Sequence, residues 1–264
     1  MSISLSQGAV RILETASPRE KVRLTKTLYQ SWQSGEITAI GSTPPPNRPA
    51  RPDQPVLCSP RDMPRRTKSG TKGRAIFIHA IAHIELNAID LAWDMVARFG
   101  APDADKKFYD DWIKVALDEA THFQMLSKRL QTLGFTYGDF PAHDGLWEAA
   151  IKTSHSLQAR LAMVPMTLEA RGLDTTGQAI HKLRHNGDNE TADILQQIAR
   201  EEIPHVAAGV YWFKKICHKQ GQYAPDVYHF FIRSLYKGRL KQPFNQTARE
   251  QAKLTAEYYL PVSD

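Results

Sequence analysis

Apolar residues recur at helical spacing along most of the chain, and four long segments carry this pattern most clearly. They span, in chain order, about residues 74–99, 104–133, 153–172 and 188–220. A glycine stands at the end of each segment, where a C-terminal cap belongs, at Gly100, Gly134, Gly172 and Gly221. The sequence shows neither a strand-like alternation nor a tight hairpin signal between apolar runs. The pattern therefore predicts an all-α fold.

Shorter helical patterns flank the four long segments. Residues 5–34 show one with a break at Ser17, which can cap a helix that begins at Pro18, with Glu20 completing a capping box. Residues 225–260 add one or two further helices. We expect both flanking regions to pack against the central helices. The chain is thus predicted to have three segments, spanning residues 1–73, 74–221 and 222–264.

The stretch 41–72, called the arm below, cannot sustain a helix or a central strand because it is rich in proline. Eight of the 16 prolines of the chain lie between Pro44 and Pro64. The arm also carries seven basic residues against two acidic ones, Asp53 and Asp62. The basic residues are Arg48, Arg51, Arg61, Arg65, Arg66, Lys68 and Lys72. The arm is either an ordered strap across the surface or a basic contact for a phosphate-bearing partner.

Composition and charge restrict the function classes. The 264 residues are 42% apolar and 23% charged, which is enough for a sizeable core and unlike a disordered chain. The formal net charge of +6 permits an anionic partner without requiring one. Two cysteines, Cys58 and Cys217, form no disulfide framework, which predicts a cytoplasmic protein. We expect no membrane association, because no stretch approaches 18 consecutive apolar residues and the N-terminus lacks the pattern of a secretory signal.

Two Glu-x-x-His motifs are the first candidates for chemistry, Glu119-Ala-Thr-His122 and Glu202-Ile-Pro-His205. Residues three apart share a helix face, so the Glu and His of each motif can bind one metal ion or two neighbouring ions. Both motifs lie on apolar faces, where a carboxylate and an imidazole are costly unless they are paired or metal-bound.

Two further glutamates stand alone on apolar helical stripes. Glu85 precedes Glu119 by 34 residues, and Glu169 precedes Glu202 by 33. The two halves of the chain thus repeat one layout, with a Glu on one helix and a Glu-x-x-His on the next. This layout is that of the di-metal carboxylate sites in four-helix bundles.

The layout predicts that six residues bind two metal ions. These residues are Glu85, Glu119, His122, Glu169, Glu202 and His205. Their four carboxylates would repel one another without metal. Oxygen ligands with a few imidazoles suit two iron ions, allow manganese, and admit zinc as a contaminant. The alternative is that the acids pair with buried cations, for which Arg98, Arg160 and Arg171 are candidates.

The motifs resemble those of the ferritin-like di-iron superfamily. The strings HAIAHIELNAIDLAWD, FYDDWIKVALDEATHF, YGDFPAHDGLWE and PMTLEARGLD are similar to a bacterial ferritin-like family of unassigned activity. The similarity spans roughly residues 70–250. It implies a ferritin-like four-helix bundle with a di-iron carboxylate centre at the six residues named above. The architecture is also distantly similar to that of the bacterial di-iron enzyme that hydroxylates a modified tRNA base.

Ferritin-like topology requires a long link between the second and third helices. If the third helix began at Asp144, only about ten residues would be free for this link. Ten extended residues reach only about 35 Å, whereas a 30-residue helix is about 45 Å long. We therefore expect residues 134–152 to form the crossover, with a short helical piece near 145–151. The alternative is an up-down-up-down bundle in which one helix runs from 144 to 172.

Four other residues are candidates for positions beside the metals. Pro204 lies inside the fourth long segment, where we expect a kink or π-bulge that could swing Glu201 toward the cavity. Glu202 nevertheless matches the spacing of the first motif and is the expected ligand. The remaining candidates are His155, four turns before Glu169 on nearly the same face, and the aromatic residues Trp112 and Tyr211.

These features favour an O2-activating di-iron oxidoreductase or hydroxylase of unidentified substrate, whose catalytic residues the sequence does not identify. Such an enzyme would take electrons from a reductase or a ferredoxin-like partner. The alternatives are an iron-binding or storage protein, a peroxide-scavenging protein similar to manganese catalase, and a tRNA-modifying hydroxylase that uses the arm to bind an RNA-borne substrate. The bundle is also compatible with a homodimer.

Overall fold

The computed structural model describes residues 3–59, 62–63, 70–101 and 105–264. Throughout these ranges the chain forms helices and loops, and pairing between extended segments is limited to two isolated β-bridges. The bridges join Leu57 to Ala142 and Leu240 to Ser263. The all-α prediction is confirmed.

The chain divides into two compact units, unit 1 (Met1–Glu148) and unit 2 (Ala149–Asp264). The helices of unit 1 are α1 (Leu5–Leu13), α2 (Pro18–Gln33), α3 (Gly70–Phe99) and α4 (Lys106–Thr132). The main helix pair is α3 with α4, while α1 packs on α3 and α2 packs on α4. The predicted organisation into three segments stays a prediction.

The start of α2 follows the signal in the sequence, except that the side chain of Glu20 forms an ion pair in place of the reciprocal bond of a capping box. Ser17 is the N-cap, its hydroxyl accepts the amide of Glu20, and Pro18 occupies the first helical position. The carboxylate of Glu20 binds the guanidinium of Arg23 at 2.8 Å. The side chain of Glu20 therefore pairs with a cation one turn later, because a charge-assisted pair competes well with a capping bond.

Helix α3 is the one helix among the described residues that is long and apolar enough to cross a membrane. Within its most apolar 18-residue window, however, 72% of the residues are buried inside the structure. The same helix buries Glu85, Asp90 and Asp94. These properties are those of the core helix of a soluble protein, which passes the same length and composition test.

The segment that follows α4 contains the short helix that the sequence predicts, while its role as a crossover stays a prediction. The sequence predicts a short helical piece near 145–151, and α5 (Gly145–Lys152) confirms it. The alternative of a single helix from 144 to 172 is wrong. α5 ends at Lys152, residues 153–155 form a turn, and the next helix begins only at Leu157.

Unit 2 is built from a long interrupted helix, one continuous long helix and three shorter ones. They are α6 (Leu157–Met163), a π-helix (Val164–Glu169), α7 (Ala170–His185), α8 (Asn189–Lys219), α9 (Ala224–Leu235), α10 (Gln246–Gln251) and α11 (Ala256–Tyr259). The main contacts within the unit are those of α7 and the π-helix with α8, and of α6 with both α8 and α9.

The predicted cap at Gly172 is wrong, because Gly172 lies inside α7. The helix continues to His185, and the glycine that follows its end is Gly187, with a φ of 74°. The amide of Asp188 donates to the carbonyl of Leu183 at 2.9 Å, which closes the last turn. A glycine inside a helix costs only about 1 kcal/mol, so packing against α8 can carry the helix through Gly172.

The described part of the arm is attached to unit 1, as the strap interpretation predicts. The amide of Ala50 donates to the carbonyl of Leu13 at 2.8 Å, and Arg48 forms an ion pair with Asp144. The indole of Trp147 donates to the carbonyl of Asn47 at 3.1 Å. Four of the basic residues predicted as a phosphate contact lie outside the described residues: Arg61, Arg65, Arg66 and Lys68.

Candidate metal centre

In unit 1 the pair α3 and α4 brings three of the six predicted ligands together. Glu119 and His122 are one turn apart on α4, and Glu85 lies on α3. The Nδ1 atom of His122 is 3.2 Å from Oε2 of Glu85 and 3.5 Å from Oε2 of Glu119. One possible ligand atom from each residue lies within 4.8 Å of those of the other two. We call these three residues the Glu85 cluster.

The Glu85 cluster is enclosed by protein. The exposed fractions are 4% for Glu85, 1% for Glu119 and 0% for His122. Burial acts to lower the pKa of His122, but the hydrogen bonds and charges of Glu119 and Glu85 outweigh it and raise this pKa to about 11. In the metal-free chain the imidazole is therefore protonated at neutral pH, and its positive charge stands between two carboxylates.

The donor set of this cluster fits a divalent metal ion. Two carboxylates and one imidazole are the ligand types that iron and manganese accept. The atoms lie close enough for one ion to bind all three residues, and a dication would replace the proton that His122 now holds.

In unit 2 the second motif lies on α8. The Nδ1 atom of His205 is 3.5 Å from Oε2 of Glu202, and the same distance separates His122 and Glu119 in the first motif. His205 is 1% exposed and Glu202 is half-buried. The two Glu-x-x-His motifs thus have matching internal geometry.

Glu169, the other predicted carboxylate ligand of unit 2, is the last residue of the π-helix and is half-buried. The sequence predicts a kink or a π-bulge near Pro204. The π-bulge is wrong, because α8 runs through Pro204 as an α-helix, and the kink stays a prediction. The π-helix lies instead around Pro165. Both prolines remove a backbone donor, so the sequence alone does not distinguish them.

Two of the residues predicted to lie beside the metal ions, Trp112 and Glu201, are buried or half-buried. Trp112 is 2% exposed and packs edge-on against Phe108, with ring centroids 6.3 Å apart. Glu201 is half-buried and accepts a hydrogen bond from Gln197 at 3.2 Å. A position for Glu201 at the edge of a metal cavity stays a prediction.

Two further candidates, His155 and Tyr211, lie at exposed positions, and a role for them beside a metal site stays a prediction. His155 is exposed and lies in the turn before α6, so no helix carries it onto the face of Glu169. Tyr211 is 44% exposed on α8, where its ring packs against Trp212 and Lys215. The turn at residues 153–155 interrupts the helical spacing that relates His155 to Glu169 in the sequence.

Two histidines that precede Glu85 on α3 form hydrogen bonds with the loop that follows α4. His83 donates from Nε2 to the carbonyl of His143 at 3.2 Å, so its Nδ1 accepts the hydroxyl proton of Tyr137 at 2.8 Å. His79 accepts the amide of Gly138 at 3.0 Å. Burial lowers the pKa of His79 to about 4, and burial with the charge of Arg51 lowers that of His83 to about 3.

Sequence reasoning missed a buried ionic cluster on α3. Asp90 is 0% exposed and binds both Lys21 of α2 and Arg51 of the arm. Arg51 also donates to the side chain of Asn87, whose amide donates to the carbonyl of His83 at 2.8 Å. We call Asp90, Lys21, Arg51 and Asn87 the Asp90 cluster.

The cations named as alternative partners have the following contacts, and pairing of the acids with buried cations stays an open alternative. Arg98 pairs with Asp94 on α3, with Nη2 and Oδ1 2.9 Å apart. Arg160 donates to the carbonyl of Ala150 at 2.7 Å, and Arg171 donates to the carbonyl of Lys241 at 2.6 Å.

Comparison with known proteins identifies relatives. A family profile described as "Protein of unknown function (DUF455)" matches residues 14–260. An uncharacterized protein of Haemophilus influenzae (strain ATCC 51907 / DSM 11121 / KW20 / Rd) is 40% identical over 257 residues, which covers 92% of this chain and 88% of that protein. No solved structure matches the chain. These matches name no activity.

Proposed function

The chain belongs to the family described as "Protein of unknown function (DUF455)", and from the chemistry of its buried acids we propose that it is a di-metal carboxylate protein. The ligands in this proposal are three residues of unit 1 and three of unit 2. They are Glu85, Glu119, His122, Glu169, Glu202 and His205. We propose two iron ions as the natural occupants and a ferritin-like bundle as the architecture.

The Glu85 cluster is the observation that carries the proposal. Three ligand-type side chains from two helices meet in the protein interior, with an imidazole in contact with two carboxylates. Concentrating negative charge away from water is unfavourable unless a cation compensates it. A protonated His122 compensates part of this charge, and a metal ion can replace its proton.

The six residues together suit two divalent ions. Their four carboxylates carry four negative charges, which balance two dications. The matching geometry of the two Glu-x-x-His pairs supports one ion for each pair. Carboxylates also bind through one or both oxygens, so they can adapt as the charge of the metals changes.

We further propose that the protein is an O2-activating oxidoreductase or hydroxylase. Two ferrous ions, when bound, supply electrons that reduce O2. The chain contributes burial, which excludes bulk water from the Glu85 cluster, and the apolar side chains of Trp112 and Phe123 on the same helix. A cytoplasmic location and a reductase or ferredoxin-like electron donor are part of the same proposal.

The decisive experiment starts with metal analysis of protein purified from iron-supplemented cells. We expect about two metal ions per chain, followed by O2 consumption when the reduced protein meets air. A ratio near zero after careful reconstitution with Fe²⁺ and Mn²⁺ would overturn the proposal.

The same preparation distinguishes the alternatives. Turnover of hydrogen peroxide by the manganese form would favour a peroxide-scavenging role, and uptake of many iron ions per chain would favour storage. Salt-dependent RNA binding would favour a tRNA-modifying enzyme. The described arginines of the arm give RNA little support, because Arg48 and Arg51 already pair with Asp144 and Asp90.

A further inference from the structure

The π-helix of unit 2 places a predicted ligand at its end. α6, the π-helix and α7 follow one another without a break, and Glu169 is the last π-helical residue. A π turn holds one residue more than an α turn, so every side chain after it is rotated relative to an uninterrupted α-helix. The direction of Glu169 therefore depends on whether this turn is maintained.

Side-chain chemistry within the turn compensates for its irregular backbone. Pro165 has no amide hydrogen to donate. The hydroxyl of Thr167 donates to the carbonyl of Ala162 at 2.7 Å, five residues earlier, and the amide of Ala170 reaches the carbonyl of Pro165. The spacing of five residues is that of the π-helix itself.

A tyrosine of α9 supports this arrangement from outside the turn. The hydroxyl oxygens of Tyr228 and Thr167 are 2.8 Å apart. Because the hydroxyl proton of Thr167 is used on Ala162, the phenol of Tyr228 is the donor. Tyr228 is 0% exposed and Thr167 is 4% exposed, so water does not compete for either hydroxyl. Burial raises the pKa of Tyr228 to about 12, which keeps the phenol protonated.

The opposite side of the turn rests on α8. A Cβ atom added to Gly209 would lie 2.6 Å from both Cβ and Cγ of Pro165. Such contacts are shorter than van der Waals distance, so the ring of Pro165 approaches α8 where only glycine leaves room. Gly209 lies four residues after His205 and seven after Glu202, on the face of α8 that carries the second motif.

We propose that Thr167 and Tyr228 are positioning residues for Glu169: their hydrogen bond holds the π-helical turn in the register that presents this carboxylate to a metal ion. This inference rests on the proposed metal-binding function. It adds a pair of residues that bear no metal-ligand motif and that the Glu-x-x-His pattern does not reveal.

The test uses Co²⁺ as the probe, titrated into the metal-free full-length protein. Tyr228→Phe and Thr167→Val each remove one hydroxyl and preserve shape. We expect each to weaken Co²⁺ affinity by about 10–100-fold, as for other groups that orient ligands. The visible absorption of bound Co²⁺ should change as well, because it reports the ligand arrangement. Thr167→Ser keeps the hydroxyl and should restore both affinity and spectrum.

A matched control removes a different buried phenol hydroxyl. Tyr258 is 2% exposed and packs edge-on against Tyr228, with ring centroids 5.7 Å apart. Among the described residues, no hydrogen bond joins its hydroxyl to the π-helix. Tyr258→Phe should therefore leave Co²⁺ affinity and spectrum unchanged.

A double-mutant cycle separates positioning from general stability. In a Glu169→Gln background the carboxylate is already lost, so adding Tyr228→Phe should weaken Co²⁺ binding little further. An equal loss in both backgrounds would overturn the positioning role, since it would show that the effect does not pass through Glu169.

The failure of this inference differs from the failure of the proposed function. If the wild-type protein binds Co²⁺ and both hydroxyl variants bind it with unchanged affinity and spectrum, only the positioning role is overturned. If the wild-type protein binds no Co²⁺, both proposals fall. Thr167→Val and Thr167→Ser differ at one small side chain, so their comparison remains decisive even if Tyr228→Phe does not fold.

Discussion

Two buried acidic clusters lie five residues apart on α3, and their partners differ in kind. In the Asp90 cluster, one carboxylate binds an ammonium from α2 and a guanidinium from the arm. In the Glu85 cluster, the partner of Glu85 is an imidazole that a second carboxylate also contacts. The first arrangement pairs the acid with a lysine and an arginine, whereas the second includes an imidazole whose proton a metal ion can replace.

The comparison teaches that burial of an acid does not by itself identify a functional site. Asp90 is even less exposed than Glu85, at 0% against 4%. What distinguishes the two is the chemistry of their neighbours, because the ordinary pKa values of Lys and Arg lie far above neutral pH whereas that of His lies near it. Buried acids with fixed cations are structural, and buried acids that share an imidazole are candidates for metal binding.

The largest expected effect belongs to the Asp90 cluster. Asp90→Ala leaves Lys21 and Arg51 without their shared carboxylate, so the free energy of unfolding should fall by about 3–5 kcal/mol. Urea denaturation measures this loss. Asp111→Ala is the matched control, because its ion pair with Lys107 is partly exposed and should contribute less than about 1 kcal/mol. Equal losses of unfolding free energy in the two variants would contradict a structural role for the Asp90 cluster.

The next effect concerns metal binding by the proposed ligands, one from the Glu85 cluster and one from α8. Glu119→Ala and Glu202→Ala should each lose at least one metal ion. At a metal concentration 100-fold above Kd the wild-type protein should gain about 2.7 kcal/mol of unfolding free energy, and these variants should gain less. Calorimetry with Fe²⁺ or Mn²⁺ measures the gain. Asp118→Ala, next to Glu119 on α4, should respond like the wild type, and full metal occupancy in both Glu variants would contradict the assignment.

The third effect is the pH dependence of the metal-free protein. Because the pKa of His122 is raised, its contribution to stability is complete below the unfolded value of about 6.5 and is lost as the pH rises toward about 11. The loss approaches about 1.4 kcal/mol for each pH unit. Urea denaturation at pH 7 and pH 9 in the presence of a chelator measures it, and His122→Gln should lack this component.

His83 provides the opposite sign within the same unit. Its pKa is lowered to about 3. The contribution of His83 to the free energy of unfolding is therefore complete above about pH 6.5 and is lost as the pH falls from there toward about 3. His83→Gln should therefore reduce the sensitivity of stability to acid and leave its sensitivity to base unchanged. If both histidine variants altered the same limb of the pH profile, the electrostatic contrast would be wrong.

The smallest effect distinguishes two neighbouring glutamates of the proposed site, only one of which is expected to bind metal. Neighbouring residues on a helix point about 100° apart, so Glu201 and Glu202 cannot both be main ligands of the same metal ion. Glu202→Gln should lose metal, while Glu201→Gln should keep it and lose affinity by no more than about 10–100-fold. Metal analysis of the two variants measures this. The reverse result would mean that Pro204 shifts the register of α8 by one residue.

Periodic patterns predicted much of the helical framework. The predicted segments 104–133 and 188–220 match α4 and α8 closely, and the Ser17 cap and the short helix near 145–151 were also recognisable. These features depend on residues close together in sequence, where spacing and capping chemistry act directly. The pairing of Glu119 with His122 within one turn is of the same local kind.

The remainder depended on contacts between distant residues. Lys21 meets Asp90 across 69 positions, and no local pattern distinguishes Lys21 from an exposed lysine. The π-helix lies at Pro165 rather than at Pro204, because Gly209 and Tyr228 support the turn there. Such choices are made by tertiary packing, which a single sequence does not display.

The attachment of the arm has a consequence for how this chain can be shortened. Arg51 reaches Asp90 from the proline-rich stretch, and Lys21 reaches it from α2. Both residues act as counter-ions supplied by the N-terminal part of the same polypeptide. A fragment restricted to residues 74–221 would retain the carboxylate and discard both of its cations. We therefore expect a fragment that begins at residue 74 to be less stable than one that begins upstream of Lys21.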